Sequence, residues 1–140
     1  MSYILNIETA TKNCSVALAK EGKTILCKEI AEEGYSHAER LHVFIEDILK
    51  ESQIDFRKLK AIAVSKGPGS YTGLRIGVST AKGLCFALQI PLIAIPTHQS
   101  LFQIGILKAT AKQKAIVCML DARRMEVYFE GYDTRGNLIK

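Results

Sequence analysis
The segment Gly67-Pro68-Gly69-Ser70-Tyr71-Thr72-Gly73-Leu74-Arg75-Ile76-Gly77, continuing to Thr80 and Gly83, carries the clearest chemical signal in the chain. It follows an apolar run, Ala61–Ser65, and leads into a segment with Leu74, Val78, Ala81, Cys85 and Leu88 at helical spacing. A glycine-rich turn between strand and helix can aim backbone N–H groups at an anion. The known anion loops do not match, however. A P-loop needs a lysine after its last glycine, and Leu74 follows Gly73; the dinucleotide fingerprint needs glycine at Thr72. Interior helical glycines cost about 0.8–1 kcal/mol each relative to alanine, so they must serve another purpose. Gly73, Gly77 and Thr80 fall at i, i+4 and i+7 and predict a stripe without bulk, opposite the apolar stripe and on the outer side of the helix. Such a stripe lets a second helix backbone approach, from the same domain or from a partner.

Other reactive side chains are scattered. His37 and His42 are five residues apart, about 140° around a helix, so they do not share a face as metal ligands would. His42 and Glu46 share a face, but two ligands do not make a site, and no metal is expected. His98, after Thr97, reads as part of a helix start. Cys14, Cys27, Cys85 and Cys118 are widely spaced, which predicts reduced, half-buried small apolar residues rather than a disulfide or zinc framework. No serine or cysteine stands beside a base as a nucleophile would, so no catalytic residue is assigned. Arg75 falls in the first turn of its helix, where the dipole disfavours a cation, and predicts an anionic neighbour.

The elements that must position these residues follow from pattern. The 140 residues are 48% apolar and suffice for one packed core. Tyr3–Glu8, Cys14–Ala19 and Lys23–Ile30 read as three strands, the first central, with Glu21-Gly22 as a hairpin turn. Ser36 and Glu39 form a capping box for a helix over 37–52, and Asp55 caps a short turn before the next strand. The glycine-rich helix runs to about residue 88. Pro91–Ile95 reads as a buried strand, and Thr97 as the cap of a helix through about Ala111. Residues 115–120 and 126–132 form a hairpin around Asp121–Arg124, and Leu138-Ile139 begins a further strand. Three antiparallel strands followed by right-handed crossovers give a five-stranded mixed sheet with helices on its faces. This α/β layout is the ribonuclease-H-like one shared by the actin-like ATPases and sugar kinases. The expected boundaries are a first lobe over 1–112 and the start of a second, incomplete here, over 113–140.

In that superfamily the first hairpin turn holds phosphate through an Asp, a Gly and a Ser or Thr. Here the turn is Glu8-Thr9-Ala10-Thr11-Lys12-Asn13. Ala10 puts a methyl group where backbone would approach phosphate and disfavours positive φ. Glu8 is one methylene longer than Asp. The expectation is a degenerate phosphate turn at Glu8, Thr9 and Thr11, against the plainer reading of an ordinary polar turn.

Charge is distributed unevenly behind the net +5. Residues 56–120 hold nine bases and no carboxylate, so this stretch supplies no catalytic acid and presents positive charge to a nucleotide, RNA or an acidic protein face. No apolar run is long enough to span a bilayer. The N-terminus lacks the basic start and apolar run of a signal peptide, which predicts a cytoplasmic protein and no membrane partner.

Taken together, the segment 67–77, Glu8-Thr9-Ala10-Thr11 followed by Cys14–Leu18, Ser36–Leu41, and Asp121–Arg124 with Glu126–Phe129 resemble the bacterial TsaB (YeaZ-like) family, in the family's order along the whole chain. The resemblance implies two actin-like lobes and a part in making threonylcarbamoyladenosine beside the tRNA anticodon. It implies a non-catalytic subunit that activates a TsaD-like transferase, with a TsaE-like ATPase joining and a homodimer forming when alone. It implies tRNA contact through the complex, no required cofactor, ATP or ADP admitted at the subunit interface, and no peptidase activity. Carried onto this chain, the pairing face is the helix after Ser36 and the helix after Thr72. Its residues are Ser36, His37, Arg40, Gly69, Tyr71, Thr72, Gly73, Arg75, Ile76, Gly77, Thr80 and Gly83. Two alternatives stand beside it: a weak nucleotide-binding ATPase or phosphotransferase of the actin-like class, and direct RNA binding by the acid-free stretch. The relatives expected from this resemblance are longer, and Glu8 replaces their more usual Asp.

Overall fold
The computed structural model describes residues 1–31 and 37–140. Ser36, and with it the expected capping box, lies outside the described residues. Strands β1 (Tyr3–Glu8), β2 (Cys14–Lys20) and β3 (Lys23–Ile30) form an antiparallel meander. Glu21 and Gly22 take φ of 49° and 77°, the left-handed pair that a two-residue hairpin turn requires. Helix α1 (His37–Ser52) leads to a 3₁₀ turn at Phe56–Lys58, capped as expected by Asp55, whose carboxylate accepts from the Arg57 N–H at 2.8 Å. The neighbouring Arg57 guanidinium holds the Asp55 carboxyl below the usual carboxylate range. Strand β4 (Leu59–Gly67), helix α2 (Tyr71–Leu88) and strand β5 (Leu92–Pro96) follow, then helix α3 (Thr97–Lys108).

The sheet order is β3-β2-β1-β4-β5, with β1 antiparallel to β2 and parallel to β4, and β4 parallel to β5. This is the expected five-stranded mixed sheet, and β1 is central as its two apolar faces require. Leu5, Ile7, Val16, Leu18, Ile62 and Val64 point to the face that α1 and α2 cover, where they meet Leu41, Ile45, Ile48, Ala81 and Cys85. Fully burying one such aliphatic side chain stabilises by about 1.5–3 kcal/mol. Ala61, Ala63 and Ser65 alternate to the other face of β4 and are buried as well. Strand β5 departs from expectation: Ile93 and Ala94 are exposed. An edge strand has one neighbour, so a continuous apolar run does not by itself make it buried.

Helix α3 also departs in its start and end. Pro96 occupies the N-cap position without a side-chain cap, Thr97 is the first helical residue, and the helix ends at Lys108. His98 is buried there as expected for a helix start, and its Nδ1 lies 3.8 Å from the Glu130 carboxylate. Strands β6 (Ala115–Arg123) and β7 (Glu126–Asp133) form the expected hairpin as a separate two-stranded sheet. Its inner face seats Cys118 and Tyr132 against Phe102 of α3, the Phe102 and Tyr132 rings 5.0 Å apart. Leu138 bridges back to Tyr132, the expected start of a further strand. Among the described residues the cysteines are all free; Cys14, Cys85 and Cys118 are buried more fully than expected and Cys27 is exposed. Burial pushes the three buried thiols up. No described helix is long and apolar enough to cross a membrane.

Tyr132 ties the hairpin to α3. Burial, aided by donation of its hydroxyl to the Glu130 carboxylate, pushes the Tyr132 phenol up to about 12. A phenol held protonated by folding contributes stability that is whole below the unfolded value of about 10. That contribution is lost as pH rises through the folded value. Wild-type stability to urea therefore falls between pH 10 and 12 by more than that of Tyr132→Phe. Parallel curves for the two proteins across that range contradict the assignment.

Candidate functional site: the first turn and the glycine-rich helix
Helix α2 is capped by Ser70, whose hydroxyl accepts from the Gly73 N–H at 3.3 Å, and closed by Gln89 in the left-handed conformation. Its buried stripe is Gly73, Gly77, Ala81 and Cys85, one residue per turn at i+4 spacing. Leu74, Val78 and Leu88, expected on the inward face, are half-buried beside that stripe. The expected outward placement of Gly73 and Gly77 is therefore corrected. The two glycines face the turn between β1 and β2.

Thr9 of that turn is 1% exposed, and its hydroxyl donates to the Gly73 carbonyl at 2.6 Å. A Cβ on Gly73 would overlap the Thr9 carbonyl oxygen, and one on Gly77 would overlap the Thr9 hydroxyl. Gly69 takes φ of 157°, and a Cβ there would overlap the Ala10 carbonyl. That same carbonyl accepts from the Ser70 N–H at 2.6 Å. The glycines are thus receptors for the first turn, which presses against α2 with backbone and hydroxyl where side chains would otherwise stand.

The turn's own polar groups are engaged within the chain. One Glu8 oxygen accepts from the Ala10 N–H at 2.8 Å, and the other accepts from the Ser65 hydroxyl. The Thr11 hydroxyl accepts from the Asn13 N–H at 3.3 Å, and the Asn13 amide donates to Glu29 at 3.1 Å. The Thr11 carbonyl meets His37 Nε2 at 2.7 Å. Because a carbonyl only accepts, this nitrogen carries the proton. His37 thereby joins the start of α1 to the turn, and its ring also lies beside Gly73.

The residues proposed for a pairing face separate into three groups. Tyr71, Thr72, Arg75 and Gly83 are exposed along α2; a Cβ on Gly83 would meet nothing within 4 Å. His37, Arg40, Gly69, Ile76 and Thr80 are half-buried, and Gly73 and Gly77 are buried. Among the described residues, Arg75 packs on Tyr71. Its guanidinium lies 5.3 Å from the centre of the Tyr71 ring, and its Nη1 donates to the Tyr71 hydroxyl at 3.4 Å, a cation–π seat one helical turn away. Pattern reading missed Phe86, which is 82% exposed on α2, and the small exposed residues Ser79 and Ala87 that flank Gly83 at i±4. That spacing was visible in the sequence and was masked by the two glycines nearer the helix start. Among the described residues, no group of three His, Cys, Asp or Glu side chains comes together.

The other side of the same turn lines an open cavity of about 640 Å³. Thr11, Lys12, Ser70, Thr72, Arg123 and Tyr128 contribute to its wall, so it lies between the first turn, the start of α2 and the β6–β7 hairpin. Arg123, Arg124 and Met125 at that hairpin's tip all take positive φ.

A mixed sheet in the order β3-β2-β1-β4-β5, with two helices over one face and the first turn set against the second of them, defines a ribonuclease-H-like, actin-like α/β lobe. A family model described as TsaD, tRNA N6-adenosine threonylcarbamoyltransferase, matches residues 28–140. The chain belongs to that family, and within it to the TsaB (YeaZ-like) proteins. Its relatives include the tRNA threonylcarbamoyladenosine biosynthesis protein TsaB of Haemophilus influenzae, 35% identical over 90% of this chain and 52% of the relative. The TsaB protein of Escherichia coli is 35% identical over 96% of this chain and 56% of its own length. The transferase of Anoxybacillus flavithermus is 35% identical over 66% of this chain. YeaZ from Pseudomonas aeruginosa superposes with a TM-score of 0.84 and 34% identity, covering 99% of this chain and 63% of that one. The chain spans about half the length of the curated relatives it matches.

The two kinds of glycine make opposite predictions. Gly83→Ala removes the entropic cost of an exposed helical glycine and raises stability by about 1 kcal/mol. Gly77→Ala has the same helix-propensity gain but drives a methyl group into Thr9, and loses about 1–3 kcal/mol net. Urea denaturation of both variants decides; a Gly77→Ala protein as stable as Gly83→Ala removes the receptor role of Gly77.

Proposed function
We propose that this chain carries the first lobe of a non-catalytic subunit in tRNA threonylcarbamoyladenosine synthesis, and that it binds a TsaD-like transferase through α1 and α2. One observation carries the reading: among the described residues, α2 leaves a continuous outer face unpaired while its inner stripe is filled. Tyr71, Arg75, Ser79, Lys82, Gly83 and Phe86 are exposed along that face, with Phe86 at 82%. Ser79, Gly83 and Ala87 take the role first expected of Gly73 and Gly77, a stretch where a second helix backbone can come close. The engagement of both Glu8 oxygens by Ala10 and Ser65 supports a structural rather than a catalytic part for the turn. On this reading the protein works in the cytoplasm, a TsaE-like ATPase joins the pair, and tRNA is met through the assembly. Residues 113–140 are then the opening of a second lobe.

A second reading has a specific observation behind it. The 640 Å³ cavity brings Lys12 and Arg123 together with the hydroxyls of Ser70 and Thr72 and the ring of Tyr128, a lining suited to ATP or ADP at the subunit interface. Calorimetry with ADP separates it from the first. Binding that weakens in Arg123→Glu supports this reading, and the absence of heat at millimolar ADP sinks it.

Docking is tested with Phe86→Asp and Gly83→Arg. Both sites are exposed, so the melting temperature stays within a few degrees of wild type. Each variant weakens association with the same organism's TsaD-like protein at least tenfold on a sizing column with light scattering. Wild-type affinity in both variants would place the pairing face elsewhere. Gly77→Leu, the substitution that a smooth outer stripe invites, does not serve, because its side chain would collide with Thr9 inside the fold.

A further inference from the structure
We propose that His37 is a positioning residue. It sets the angle between α1 and α2, and through that angle the ability of their outer face to dock; the inference rests on the docking reading above. The two helices sit on different strands. α1 packs on β2 and β3, α2 packs chiefly on β4, and the two helices also touch each other. Their mutual orientation at the N-terminal ends is therefore not dictated by either strand alone, and a shared contact has to supply it. At those ends the first turn is such a contact, beside the direct packing of α1 on α2.

On its α2 side the turn is seated by Thr9, whose hydroxyl donates to Gly73 at 2.6 Å and fills the space beside Gly77. On its α1 side it is held by His37, the first residue of that helix, whose Nε2–H donates to the Thr11 carbonyl at 2.7 Å. The His37 ring also closes the corner directly. A Cβ on Gly73 would stand 3.0 Å from Cδ2 and 3.3 Å from Nε2 of the ring, so imidazole and helix backbone are already near contact. One side chain thus touches α1, the turn and the first turn of α2 together.

The acceptor on the turn is a backbone carbonyl, which stays in place when His37 is replaced and calls for a donor at that position. His37 itself is half-buried and outside the main apolar core, so its removal leaves the core of Leu5, Ile62 and Leu41 in place. The role is therefore orientation rather than bulk stability. The chemistry required at position 37 is an N–H donor on a side chain of moderate length. Glutamine supplies that donor and alanine does not.

The experiment uses the complete protein as its organism makes it, with the TsaD-like protein of the same organism. Two quantities are measured for wild type, His37→Ala and His37→Gln. Calorimetry gives the affinity for the partner, and residual dipolar couplings on the free protein give the angle between α1 and α2. We expect His37→Ala to weaken association roughly five- to twentyfold, within the range of coupling between linked sites, with a changed angle and a melting temperature within a few degrees of wild type. His37→Gln restores the affinity to within about threefold and restores the angle. An unchanged angle in His37→Ala overturns the inference whatever the partner does. Equal losses in the alanine and glutamine variants overturn it as well. If wild type itself does not bind the partner, the docking reading falls, and the angle measurement still decides whether His37 orients the helices.

Discussion
The hydroxyl of Thr9 reaches the carbonyl of Gly73 only because two side chains are missing from α2. This close seat organises the lobe. It fixes the turn that follows the central strand, it fixes the start of the helix that crosses from β4 to β5, and through Thr11 and His37 it reaches the start of α1. Interior helical glycines are unfavourable by about 1 kcal/mol each, so the contact must return more than it costs. The return comes as a hydrogen bond for a buried hydroxyl that would otherwise be unsatisfied, together with dense packing around a side chain that is 1% exposed.

The same contact reorganises the chemistry of the turn. In a site that holds an anion, acid and hydroxyls face outward and wait for a ligand. Here the Thr9 hydroxyl points to α2, and the Glu8 carboxylate accepts from Ala10 on one oxygen and Ser65 on the other. A carboxylate with two internal donors is held in place by its own chain. The methyl group of Ala10 is buried rather than presented to a ligand. The turn is wedged against α2, with an open cavity on its far side.

Most of the architecture was legible in the sequence because local patterns and long-range demands agree there. Alternation in β1–β3, the Glu21-Gly22 turn and the amphipathic face of Leu41, Ile45, Ile48 and Leu49 each required what the fold provides. Failures arose where the deciding contact is distant in sequence. Gly73 and Gly77 carry no side chain, so periodicity cannot tell an inner groove from an outer one; their orientation is set by Thr9, more than sixty residues away. Arg75 was read from the helix dipole alone, and its seat on the ring of Tyr71, four residues earlier, was not foreseen. Strand β5 has the apolar composition of a central strand and the position of an edge strand, and position in a sheet is a property of topology, which composition does not encode. Phe86 was assigned to no face by the pattern, and the packed structure shows it facing out.

The central place of β1 also has a consequence during synthesis. Its antiparallel partner β2 follows within a few residues, but its parallel partner β4 ends only at Gly67. A ribosome adding 5–20 residues per second needs roughly two to seven seconds to make the residues between the end of β3 and the end of β4. For that interval the nascent chain holds a three-stranded meander in which β1, central in the finished sheet, is still an edge strand with a bare hydrogen-bonding side. Such an edge pairs readily with any strand that reaches it. The N-terminal meander is therefore open to wrong pairing until β4 is made. Synonymous codons that slow translation across α1 would lower the yield of soluble protein without changing a single residue of the finished fold.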